Sequence, residues 1–141
     1  MSRCYYLKTD CYVDFIGMQE VLEMLHDEYI VAFNELEPST GERSEACFYI
    51  EGESAQGVHI INKEGCIVIK INSFSNYMDY ELARQILTIE RDFLKTQIID
   101  EDNRKIVLEE YFTDDNIRKL LEDDGSDEKE EAQTCARGVI L

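Results

Sequence analysis

Apolar residues recur with period two in some stretches of this chain and with helical period in others. The switches between the two patterns mark its elements. Arg3–Lys8 is rich in Tyr and ends in polar residues, which predicts a first strand. Met18, Val21, Leu22, Leu25 and Tyr29 then fall at i, i+3, i+4, i+7 and i+11, one continuous face of a helix. Glu20, Glu23, Asp27 and Glu28 lie largely on other faces, His26 sits on that polar side, and Asp14 is placed to cap the start. The β-rich run 29–34 predicts that this helix gives way to a second strand near Asp27.

Residues 37–44 hold the only proline, Pro38, with Ser39, Thr40 and Gly41, and read as a loop. Beyond it Ala46, Phe48 and Ile50 alternate with Cys47, Tyr49 and Glu51 in a strand over 45–51. Runs 58–61 and 66–72 flank Asn62-Lys63-Glu64-Gly65, the pattern of a β-hairpin. In its second strand Ile67, Ile69 and Ile71 face the core, and Cys66, Val68 and Lys70 face away. A helix over 79–96 follows, with the stripe Leu82, Ile86, Ile89 and Phe93 widened by Ala83, Leu87 and Leu94. Asp79 and Glu81 in its first turn and Lys95 in its last complement the helix dipole. Residues 98–99 and 105–109 flank an acidic turn and predict a second hairpin, after which Thr113 caps a third helix over 114–122.

Strands joined by short turns pair antiparallel. The expected fold class is therefore α+β: two layers, a mostly antiparallel sheet of about six or seven strands, and three helices with the longer ones packed on one face. Residues 1–122 are expected to form one domain and 123–141 an acidic, disordered tail.

Composition narrows the function classes. Among 141 residues, 31 are Asp or Glu and 14 are Lys or Arg, a formal charge of -17 that repels nucleic acid and anionic membrane surfaces and attracts basic proteins. Hydrophobic residues make up 44%, enough for a buried core. No apolar run reaches the length of a membrane span. Five cysteines, an odd number without Cys-x-x-Cys spacing, and an N-terminus without an apolar leader predict a cytoplasmic, reducing location.

The candidate chemistry is sparse. Asp100-Glu101-Asp102-Asn103 gathers carboxylates, but a calcium-loop register started at Asp100 puts Lys105 where Gly is required and Tyr111 where Glu is required, so a solvated turn fits better. Two histidines, His26 and His59, have no spacing that joins them, and neither a metal site nor a cofactor is expected. Gly52 and Gly57 bracket no phosphate loop, and no catalytic residue is nominated. A Cys–His pair of Cys47 or Cys66 with His59 would need neighbouring strands to bring it together.

The expected contact surface is the sheet face left open by the helices. It comprises Tyr49, His59, Val68 and Lys70, joined by Tyr5 or Tyr6. The leading expectation is a non-catalytic interaction module for a basic protein, in the manner of immunity proteins and antitoxins by analogy of charge alone. The alternative is a small-molecule or enzymatic domain with a pocket between the sheet and helix 79–96, served by Cys47, His59, Cys66 and Lys70. A homodimer paired through its tyrosine face is the third.

Overall fold

The computed structural model describes residues 2–36 and 44–124. Its elements run β1 (Arg3–Lys8), α1 (Phe15–Leu25), β2 (Val31–Leu36), β3 (Ser44–Ile50), β4 (Val58–Lys63), β5 (Cys66–Ile71) and α2 (Tyr77–Leu94). β6 (Ile98–Ile99), β7 (Lys105–Ile106), α3 (Leu108–Tyr111) and α4 (Asp114–Asp124) complete them. The seven strands form one sheet in the order β2-β3-β4-β5-β1-β6-β7. Every neighbouring pair is antiparallel, so the fold is α+β as the pattern predicted. The expected loop over 37–44 falls outside the described residues except for Ser44, which opens β3.

Hairpin chemistry builds the strip from β2 to β5, and two helical crossovers close the rest. α1 carries the chain from β1 past β5, β4 and β3 to the far edge, while α2 carries it from β5 across β1 to β6. Both helices lie on one face. Beneath them Leu7, Phe48, Ile50, Ile60, Ile67, Ile69 and Ile71 are fully buried, as strand alternation requires. Each such side chain contributes about 1.5–3 kcal/mol by leaving water. Gly65 takes φ 83 in the β4–β5 turn, a conformation open to glycine without steric cost.

The helices differ in detail from their predicted faces. α1 starts after Asp14, whose carboxylate accepts from the Ile16 N–H at 3.2 Å, as a cap should. It buries Phe15, Met18 and Leu22, whereas Val21 and Leu25 are exposed and Tyr29 lies beyond the helix end. The five-residue stripe extends past the end of the helix at residue 25. The helix stops there, at His26, which is buried as the C-cap and bonded to Gln85 rather than placed on the solvent side.

α2 turns Leu82, Ala83, Ile86, Leu87 and Glu90 inward and leaves Phe93 76% exposed. Tyr5 faces the core, 1% exposed, with its ring 5.4 Å from Phe112 and its hydroxyl 3.0 Å from that of Tyr111. Only Tyr6 joins the open face. The predicted strand over 105–109 ends at Ile106, and residues 108 and 109 begin α3, so there are four helices among the described residues. α4 runs two residues beyond the expected end of the third helix, and the rest of the proposed tail lies outside the described residues.

Candidate functional site

The open sheet face is a lattice of cross-strand rows. Lys70 pairs with His59 on one side and Cys4 on the other, and His59 pairs with Cys47. Val68 stands between Tyr6 and Ile61. Although no helix among the described residues covers this face, Val68 and Ile61 are only 2% and 6% exposed. Tyr49 is half-buried beside the β3–β4 connection. The four residues expected to form the contact surface therefore share one face. Lys8, Lys63 and Lys70 share this face, where Glu45 bonds to His59 Nδ1 at 2.9 Å and Glu101 accepts from the Cys4 N–H at 3.0 Å.

The same lattice places Cys47 opposite His59, but no hydrogen bond joins them. The thiol points to the Gln56 carbonyl at 3.6 Å, and burial with the nearby Asp79 and Glu45 carboxylates pushes it up to about 11. At pH 8 only roughly one thiol in a thousand would be thiolate, too few for an activated nucleophile. Cys47 is thus expected to react far more slowly than exposed Cys11 with a thiol reagent at pH 8, read by peptide mass mapping. Labelling of Cys47 first would restore the Cys–His reading. The pocket imagined between sheet and α2 cannot collect Cys47, His59, Cys66 and Lys70, because those side chains occupy the opposite face.

Asp79 is fully buried and holds a structural knot. It is the third residue of α2, and its carboxylate closes a capping box by accepting from Asn76 N–H at 3.1 Å while Asn76 caps Asp79 N–H at 3.0 Å. The same carboxylate reaches the β3–β4 connection and accepts from Ala55, Gln56 and Gly57 at 3.2, 2.9 and 3.0 Å. Burial raises its carboxyl above the ordinary range, and the Gln56, Asn76 and Gly57 N–H groups draw it back. Gly57 has φ +74, and a Cβ there would sit 2.6 Å from the Phe48 carbonyl oxygen, so the knot admits no side chain.

The acidic turn is another structural device. Asp100 accepts from Asp102 and Arg104 N–H, each at 2.9 Å, within the β6–β7 hairpin. Among the described residues no group of three His, Cys, Asp or Glu is arranged to hold a metal ion.

A different surface emerges on the helical side. Between α1 and α2 lies a groove of about 360 Å³ whose walls include Tyr12, Met18, Val21, Ile89, Phe93 and Leu94. Glu90 lines it. The residue is 7% exposed, forms no hydrogen bond or ion pair among the described residues, and burial alone raises its carboxyl. Continuing from the groove, α1 exposes Ile16, Val21, Met24 (78%) and Leu25 among Glu20 and Glu23. This surface is not evident in the sequence, because Val21, Leu25 and Phe93 fall on continuous apolar helix stripes together with buried residues. The signal was present in α2, where position 90 follows Ala83, Ile86 and Leu87 on one helical stripe and carries a carboxylate.

Comparison with protein-family models, curated proteins and solved structures finds no match to this chain. No helix among the described residues is long and apolar enough to cross a membrane.

Proposed function

We propose that this protein is a non-catalytic interaction module that captures a basic partner protein through its helical side. The observation that carries the reading is the apolar surface of α1 and Phe93, interleaved with carboxylates on a chain of net charge -17. Exposed apolar patches of this kind suit association, and the surrounding negative field accelerates encounter with a cationic surface. The sheet face of Tyr49, His59, Val68 and Lys70 suits a basic partner less well, since its lysines would meet like charge. A reducing cytosol is the compartment that fits the cysteine spacing.

Affinity capture from native lysate at low and high salt tests the reading. Met24→Asp with Phe93→Asp keeps the acidity while removing apolar contact, and is expected to weaken capture at least about tenfold. Tyr49→Ser with Lys70→Gln should leave it intact. The reverse pattern would move the contact to the sheet face, and capture indifferent to salt would remove the electrostatic part of the proposal.

A further inference from the structure

Glu90 departs from the rest of its helix face. Its carboxylate has no protein partner among the described residues and meets solvent only at a mostly apolar groove, so a cation that enters beside it gains a charge-assisted contact. Asp14 also borders the groove, but its carboxylate is engaged with the Ile16 N–H. Asp14 keeps its charge at the exposed rim, and Glu90 is the carboxylate set among the apolar walls that an occupant of the groove would meet.

An occupant must match two features at once: an apolar body for Met18, Val21, Ile89, Phe93 and Leu94, and one positive charge for Glu90. A lysine side chain has this form, four methylenes ending in an ammonium. A guanidinium fits less well, because a lone carboxylate can satisfy few of its five donors and the apolar walls offer nothing to the others. The groove opens toward solvent beside exposed Phe93, so residues flanking the lysine have apolar surface to cover.

We infer that the α1–α2 groove is a socket for a lysine that a partner protein presents between apolar residues, with Glu90 as its counter-ion. This rests on the proposed capture of a basic partner by the helical side.

The test uses the full chain at about 0.3 M salt, where the Debye length falls to roughly 6 Å and diffuse surface attraction is screened. Affinities are read by NMR titration for the capped tripeptide Leu-Lys-Leu, its norleucine and ε-acetyl-lysine counterparts, and hexylamine. The lysine peptide is expected to bind at least about fivefold tighter than either counterpart, and Glu90→Gln should abolish that preference. Glu90→Asp, which keeps the charge, should retain part of it. Equal binding of the three peptides, or a preference that survives Glu90→Gln, would overturn the socket while leaving the helical-face reading to its own capture experiment. A preference lost equally in Glu90→Asp would trace the effect to disturbed packing and overturn it as well. Hexylamine binding as tightly as the lysine peptide would assign the groove to a free amine and so reject a partner's lysine.

Discussion

Asp79→Ala is expected to lower stability by about 3–5 kcal/mol, because it leaves buried backbone N–H groups without an acceptor. Four such groups converge on this carboxylate, from Ala55, Gln56, Gly57 and Asn76. They belong to two structures at once, the first turn of α2 and the connection between β3 and β4. Losing the carboxylate therefore uncaps the helix and releases the connection in one step. Asp79→Asn separates charge from shape. Asparagine has a single acceptor oxygen, so at least one N–H must face its amide, and a loss of about 1.5–3 kcal/mol is expected. Denaturant unfolding measures both, and hydrogen exchange at 55–57 should accelerate in both variants. An alanine variant within 1 kcal/mol of the parent would show that water replaces the carboxylate freely.

Glu90→Met is expected to act in the opposite direction and stabilise the protein by up to about 1 kcal/mol at neutral pH, because it replaces a partly desolvated carboxylate that has no partner among the described residues. The sign follows from titration. Burial raises the Glu90 carboxyl in the folded state, so its favourable contribution is fully present below the unfolded value of about 4.3 and is lost as pH rises through the raised folded value. The advantage of methionine should accordingly be small near pH 4 and grow toward neutrality. Thermal melts of both proteins across that range supply the test. A pH-independent difference would mean that packing, and not ionisation, separates them. Should the gain appear together with loss of lysine preference, stability would have been exchanged for recognition at one residue.

Alternation and turn chemistry made most of the sheet legible. β1 follows from its tyrosine-rich run, the inward faces of β3 and β5 from period two, and the β4–β5 hairpin from Gly65 at its turn. Helix faces were less readable, because a 3.6-residue repeat locates a stripe but tertiary packing decides how wide the buried part is. α1 shows the limit. Val21 and Leu25 lie close to Met18 and Leu22 on the helix surface, yet they are 40% and 55% exposed, and Val21 borders the groove toward α2. The groove was hidden for the same reason, since it lies between two helices and neither sequence alone encodes the gap. Glu90 was visible only as one of many acids, and its burial distinguishes it from the others.

The position of β1 has a consequence for how the chain reaches its native state. The strand that precedes all the others of this sheet in the chain lies inside it, with Tyr5 opposite Ile69 and Leu7 opposite Ile98. Until those later segments emerge, β1 has no neighbour, while β2 to β5 can zip together locally. Acquisition of the native sheet is thus gated by the capture of an early-synthesised strand by late ones, a long loop closure that favours slow folding and leaves a tyrosine-rich segment in need of shielding meanwhile.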